Sequence, residues 1–95
     1  MEVEHIQLKN GSALGIKIEM KTAPLLLIKT SKGFVMCGYL NIEAAEKMND
    51  TAAKVSGVKT FDDVLNAKVN ALTTNAKALG IKEGMTGREA LEHML

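Results

Sequence analysis

Aromatic side chains are scarce in this sequence of 95 residues, which contains no Trp and only Phe34, Tyr39 and Phe61. Large rings supply much of the buried area of most cores, so a core of Leu, Ile, Val, Ala and Met gains less from each side chain. A chain of this length also buries only about 60–65% of the surface that its unfolded form exposes. Scarce aromatics and small size together predict that further surface is buried, most simply against another copy of the chain.

Cysteine, excess charge and long apolar runs are also nearly absent. The one cysteine, Cys37, excludes an internal disulfide and a metal site made of cysteines, and a single free thiol fits a reducing compartment. Twelve Lys and Arg residues against eleven Asp and Glu residues leave a net charge of +1, which argues against nucleic-acid binding.

The longest uncharged, largely apolar stretch, residues 33–40, is far shorter than the roughly 20 residues of a membrane-spanning helix. With no signal-peptide pattern at the N-terminus, we expect a cytoplasmic protein with neither a membrane nor a nucleic acid as partner.

Alternation of apolar and polar residues predicts strands in the first forty residues. Residues 13–20 alternate most clearly, and their apolar positions are Leu14, Ile16, Ile18 and Met20. Residues 4–8 alternate more weakly, and the dipeptide Asn10-Gly11 between the two runs favours a tight hairpin turn. Apolar runs at residues 25–28 and 34–40 predict two more strands. Because short connections favour antiparallel neighbours, we expect a meander of about four strands.

Apolar residues recur at helical spacing after Leu40. The first such segment, residues 42–55, follows Asn41, which suits the N-cap position of a helix. Another segment covers residues 69–79, and Gly80 stands where a left-handed residue commonly ends a helix. These patterns predict two helices, one after the strands and one later in the chain.

Two further helix starts are marked by capping residues. Thr60 precedes a short helix with an acidic first turn, and Thr86 with Glu89 matches a capping box at the start of the last helix. Strands in residues 1–40 followed by three to four helices in residues 41–95 predict one α+β domain over residues 1–95. We expect the helices to pack on one face of an antiparallel sheet.

The second face of that sheet has no predicted cover. Residues 25–28 and 34–40 are apolar at consecutive positions, whereas a strand with one solvated face alternates. Exposed apolar patches larger than a few hundred Å² usually mark interfaces, so we expect this face to pack against another subunit. The alternative is that residues 25–28 only lead into a loop, and that single exposed apolar residues are ordinary.

Cys37 is the first candidate for a functional residue. It precedes Gly38, and a glycine in a strand allows a ligand or another backbone to approach closely. A thiolate nucleophile needs a base or a positive field, and neither His5 nor His93 is near Cys37 in the sequence. The alternative, which we favour, is a small buried hydrophobic residue, as most free cysteines are.

Thr86 and Arg88 form the second candidate, at the start of the last helix. Free backbone N–H groups with an arginine in the first turn suit the binding of a phosphate or a carboxylate. The alternative, which we favour, is an ordinary capped helix in which the Glu89 carboxylate takes the place of an anion. The two histidines show no metal-ligand spacing, so we expect no metal and no cofactor.

Three segments taken together resemble one known family. They read KGFVMCGYLN at residues 32–41, VSGVKT at residues 55–60 and ALGIKEGMTGREAL at residues 78–91. In this order they resemble the YunC-like family of small bacterial and archaeal proteins, over most of the chain and least before residue 30. The resemblance implies a domain of unknown function, an N-terminal β region associated with tetramer formation, and no known catalytic residues. Cys37, Gly38 and Asn41 match the most recognisable motif of the family.

Two functional hypotheses follow. The first is a small cytoplasmic homo-oligomer, a tetramer by the resemblance, that assembles through its sheet and binds an unidentified ligand or partner at a subunit interface near Cys37, Gly38 and Asn41. The second is a small enzyme that uses Cys37 as a nucleophile at a subunit interface, with Thr86, Arg88 or a histidine completing the site. A polar cleft that exposes Cys37 beside a base favours the enzyme, and a Cys37 sealed among apolar side chains favours the binding protein.

Overall fold

An antiparallel hairpin begins the chain, and later segments extend it into a six-stranded sheet in the order β1-β2-β3-β4-β5-β6. The computed structural model describes residues 1–95, with elements in this order: β1 (Glu2–Leu8), β2 (Gly11–Ile18), β3 (Leu25–Lys29), β4 (Phe34–Met36), α1 (Ile42–Lys47), β5 (Ala52–Lys54), α2 (Phe61–Asn66), β6 (Ala71–Leu72), α3 (Thr74–Ala78) and α4 (Gly87–Glu92). The predicted α+β class and the antiparallel order of the N-terminal strands are confirmed. None of the four helices is long and apolar enough to cross a membrane.

The sheet is mixed and has two strands more than the predicted four. After β4 the chain crosses through α1 and adds β5 parallel to β4, and β6 then pairs antiparallel with β5. The N-terminal strands β1 to β4 are antiparallel as predicted, but the predicted total of about four strands is wrong, and the sheet is not antiparallel throughout. The physical cause of the added strand β5 lies at the end of α1, because Asn49 adopts a left-handed φ of 60° and stops the helix well before Val55. The apolar residues that follow, Ala52 and Ala53, are fully buried in a strand instead.

The helix predicted over residues 69–79 is also shorter than expected. Thr73 caps α3, so only residues 74–78 are helical, and residues 71–72 form β6. Gly80 follows the helix with a φ of 91°, a left-handed conformation that glycine adopts without steric cost. The starts of α2 at Thr60 and of α4 at Thr86 agree with the capping residues seen in the sequence.

The main core lies between one face of the sheet and the helices α2 and α4. It contains 19 buried residues, and the strands contribute Ile6, Leu26, Ile28 and Val35 among them. The Phe61 ring packs directly over β2, where a Cβ on Gly15 would lie 2.8 Å from a ring carbon. One of the three aromatic rings thus lies in the main core, and the missing side chain of Gly15 leaves room for it.

Candidate functional site

A cleft of about 390 Å³ lies at the end of the sheet where β4 and β5 finish. Its walls are residues 22–24 before β3, residues 37–39 after β4, and residues 57–59 between β5 and α2. In sheets with parallel strands, ligands bind in the crevice outside the carboxyl ends of those strands, and β4 and β5 are the parallel pair here. The cleft has that position, and it contains Cys37 and Gly38 from the residues predicted as a site.

Cys37 contributes to the cleft wall, but its side chain is sealed into the core. The residue is only 3% exposed and belongs to the main core cluster. The thiol Sγ accepts a hydrogen bond from the backbone N–H of Leu26 at 3.3 Å, and the Cys37 N–H donates to the Leu26 carbonyl oxygen at 3.0 Å. No histidine or carboxylate lines the cleft, so the thiol has no base among the cleft residues. These surroundings are those of a small buried hydrophobic residue.

The remaining walls are mostly apolar, with a few polar groups. The Tyr39 hydroxyl donates to the Ala23 carbonyl oxygen at 3.3 Å and so ties two of the three connecting segments together. Val58 is buried, and Lys59 is the single charged residue of the lining. The Lys59 backbone N–H donates to the Asp63 Oδ2 at 3.0 Å, and Asp63 itself does not line the cleft. The cleft therefore offers an apolar surface and one positive charge.

Asn41 lies just beyond this cleft in the chain and does not line it. Its backbone is extended, and its side-chain Oδ1 accepts a hydrogen bond from the backbone N–H of Ala44 at 3.1 Å. It is therefore the N-cap of α1, the local role that the sequence already indicated. A binding role for Asn41 stays a prediction.

Thr86 and Arg88 start α4 and also lie outside the cleft. The Thr86 Oγ1 accepts from the Glu89 N–H at 3.1 Å, and a Glu89 carboxylate oxygen accepts from the Thr86 N–H at 3.0 Å. The hydrogen bonds from the Thr86 backbone and side chain lower the pKa of the Glu89 carboxyl. Arg88 is exposed in the first turn. The structure thus does not bring these two predicted site residues to Cys37, and Glu89 occupies the helix start.

The two histidines lie in separate parts of the fold. His5 is exposed on β1 opposite Leu14, and His93 is the C-cap of α4, with its Nδ1 2.9 Å from the Glu89 carbonyl oxygen. Nowhere in residues 1–95 do three His, Cys, Asp or Glu side chains lie together so that they could hold a metal ion.

A second surface of interest is the sheet face opposite the main core. The strand register places six apolar residues on it that lie outside the core cluster, beside the polar residues His5, Gln7, Ser12 and Lys29 and the core-contacting Leu25 and Met36. We call this surface the open face, and the six apolar residues that it leaves uncovered are Val3, Leu14, Ile16, Ile18, Leu27 and Phe34. Val3 and Ile18 are exposed and the other four are half-buried. At β5 the open face ends, because Ala52 opposite Phe34 is fully buried where α1 contacts the sheet.

Residues 36–94 match the family described as "Domain of unknown function (DUF1805)". The chain belongs to the DUF1805 family. The matched region contains the cleft segments 37–39 and 57–59, whereas β1, β2 and β3, which supply most of the open face, precede it.

Two relatives extend the similarity of this DUF1805 chain over nearly its whole length. The Bacillus subtilis protein named "Uncharacterized protein YunC" is 30% identical over 94 residues, which cover 95% of this chain and 93% of that protein. A crystal structure described as a protein of unknown function, TA1206 from Thermoplasma acidophilum, superposes with a TM-score of 0.94 and 39% identity, covering 99% of this chain and 92% of that one. The resemblance to the YunC-like family is confirmed, and both relatives are proteins of unknown function.

Several cleft residues of this DUF1805 chain were not indicated by its sequence. The segment 22–24, Tyr39 and Lys59 carry no motif, and they meet Cys37 only because three connecting segments converge at one end of the sheet. A usable signal was the position of the Met-Cys-Gly run at the end of a strand, since that end is where loops gather. The partner segments came from distant parts of the chain and needed the correct sheet topology.

Proposed function

We propose that this protein is a small homo-oligomeric binding protein, which assembles through the open face and holds a small molecule in the cleft at Cys37 and Gly38. The open face carries the proposal. In projection, four strands about 4.8 Å apart and six residues long at about 3.3 Å per residue make a face of roughly 400 Å². This face is mostly apolar, and apolar patches of a few hundred Å² are often interaction surfaces.

A second copy of the chain is the partner that best fits the open face. Its side chains are mostly apolar, and Lys29 is the one residue with a formal charge on this face of β1 to β4, so two such faces pack together largely through apolar contacts. The same surface on both subunits is the arrangement of two-fold symmetric dimers. The resemblance to the YunC-like family favours a tetramer, in which one such contact is repeated or joined by another. The free thiol of Cys37 supports a reducing compartment such as the cytoplasm.

Binding is favoured over nucleophilic catalysis in the cleft. The one observation in favour of the enzyme is that Cys37 lines the cleft. Against it, the thiol is buried and accepts a backbone N–H, and the lining contains no histidine or carboxylate that would take its proton. Apolar walls with a few polar groups are typical of ligand sites.

Light scattering on charge variants tests the assembly. Leu27→Glu places a carboxylate at the centre of the open face, whereas Met48→Glu makes the same kind of change at a residue that is 72% exposed on the C-cap of α1. We expect a multiple of the 10.2 kDa chain mass for the native protein and for Met48→Glu, and a folded 10.2 kDa monomer for Leu27→Glu. A native chain that stays at 10.2 kDa at micromolar concentration contradicts the proposal.

A further inference from the structure

The chemistry of the cleft residues indicates which class of molecule fits there, given the binding role proposed above. Three properties of the lining matter: its charge, its unpaired hydrogen-bond donors and its apolar area. Lys59 is the charged residue, and no Asp or Glu lines the cleft, so the lining has a positive balance. The Asp63 carboxylate, which does not line the cleft, accepts a hydrogen bond from the Lys59 backbone N–H at 3.0 Å.

Backbone donors accompany the lysine. The N–H groups of Gly38, Tyr39, Gly57 and Val58 form no hydrogen bond within the chain, although all four residues line the cleft. Backbone N–H groups almost always have a partner, which must be water or a ligand when the protein supplies none. Several such donors beside an ammonium group are the usual surroundings of a bound anion.

We propose that the cleft binds a small monocarboxylate with an apolar body. The carboxylate pairs with the Lys59 ammonium and the free backbone N–H groups, and the body lies against Ala23, Pro24 and Val58. One lysine balances one negative charge. A phosphate dianion would leave a charge uncompensated beside apolar walls, where an unpaired charge is costly. The volume of about 390 Å³ is at the small end of ligand pockets, which fits a compact molecule.

Gly38 provides a clean way to block this site. A Cβ built on Gly38 meets no atom within 4 Å, and its φ is outside the left-handed region, so a side chain begins in open space and needs no strained backbone. Because Gly38 lines the cleft, we expect Gly38→Val to fill cleft space and to leave the fold unchanged. Lys59→Gln removes the charge while it keeps a side chain of similar length.

Titration of the ¹⁵N-labelled full-length protein tests the proposal. The probes are 3-phenylpropanoate, 4-methylpentanoate, the uncharged amide of each, and inorganic phosphate. We expect saturable shifts of the Gly38, Gly57 and Lys59 amide signals with at least one carboxylate. Its amide should bind about tenfold or more weakly, the loss expected for one charge-assisted contact. Lys59→Gln should weaken binding of the carboxylate by a similar factor, and Gly38→Val should abolish it with the remaining spectrum intact.

Two results would overturn the ligand class. One is that a carboxylate and its own amide bind with equal affinity. The other is that inorganic phosphate binds with an affinity at least as high as that of either carboxylate. Absence of shifts at these three residues with either carboxylate, at concentrations up to about 10 mM, would also overturn it. Light scattering of the same samples separates this failure from a failure of the proposed assembly, because the oligomer forms on a different surface.

Discussion

Thr73 provides the sharpest test of how the second half of the fold is held. The side chain is 1% exposed, and its hydroxyl donates to the Asp50 carbonyl oxygen at 2.7 Å. The same Oγ1 accepts from the Ala52 N–H at 3.1 Å and from the Ala76 N–H at 3.4 Å. One hydroxyl thus joins the start of β5 to the cap of α3. Thr73→Val keeps the shape of the side chain and removes these three hydrogen bonds, together with the longer approach of the hydroxyl to the Ala52 carbonyl oxygen at 3.4 Å.

The expected cost follows from those three bonds. Loss of the helix cap costs about 1 kcal/mol, and a buried N–H left without a partner, here that of Ala52, costs about 1–3 kcal/mol more. We therefore expect Thr73→Val to lower the free energy of unfolding by about 2–4 kcal/mol. Thr60 is the matched control, because its exposed hydroxyl caps α2 through one bond from the Asp63 N–H at 3.0 Å. Thr60→Val should cost about 1 kcal/mol, since water replaces the lost partner.

Urea unfolding followed by circular dichroism measures both losses. The protomer concentration must be the same for every variant, because the stability of an oligomer depends on concentration. A lower midpoint with an unchanged slope reports a change in stability alone. If Thr73→Val cost no more than Thr60→Val, the reasoning that Thr73 joins β5 to α3 would be refuted.

Three further predictions concern packing, acid stability and the thiol. Gly87→Ala should cost more than about 2 kcal/mol in urea unfolding, because the new Cβ would overlap the backbone oxygen of Val64; a neutral result contradicts this contact. The hydrogen bond from the Thr74 backbone N–H lowers the pKa of Glu46 from its ordinary value of 4.5, so the stability from this carboxylate is present above that pH and is lost as the pH falls through the lower folded-state pKa. Glu46→Gln should therefore flatten the acid part of a plot of urea midpoint against pH, and an unchanged acid slope argues otherwise. Cys37 should react with a disulfide reagent about 100-fold more slowly in the folded protein than in urea, and a fast native reaction would mean an accessible thiol.

Local signals in the sequence predicted the starts of elements well. Alternation predicts the first two strands and apolar runs predict the next two, and Asn41, Thr60 and Thr86 each cap the helix that follows them. A helix N-cap is a hydrogen bond between residues about three positions apart, so the local sequence determines whether it forms. These features could be read without knowledge of the tertiary structure.

The ends of elements and the last two strands depended on distant contacts. Residues 52–55 satisfy helical spacing in the sequence, yet β5 pairs with β4 across a connection that includes all of α1. The pairing of residues 71–72 with β5 likewise draws on a partner far away in sequence. Periodicity alone does not distinguish a short buried strand from a short helix, so the sequence predicts helices for these two segments.

The candidate site also contains some residues that the sequence indicates and some that only the fold identifies. The Met-Cys-Gly run led to Cys37 and Gly38, which do line the cleft, but Tyr39 and Lys59 were found only from the fold. The open face was expected from consecutive apolar residues in the third and fourth strands. Its members from β2, which are Leu14, Ile16 and Ile18, form an apolar stripe in the sequence, although alternation does not indicate which side of a sheet the helices cover.

Contact between open faces is the central claim, and isotope-filtered NMR on a mixture of ¹³C-labelled and unlabelled protomers tests it directly. We predict intermolecular contacts at the methyl groups of Ile16 and Leu27. We predict none at Leu26 and Ile28, which lie on β3 beside Leu27 but face the helices and have no exposed surface. Intermolecular contacts confined to other surfaces, or no such contacts at all, would contradict the account.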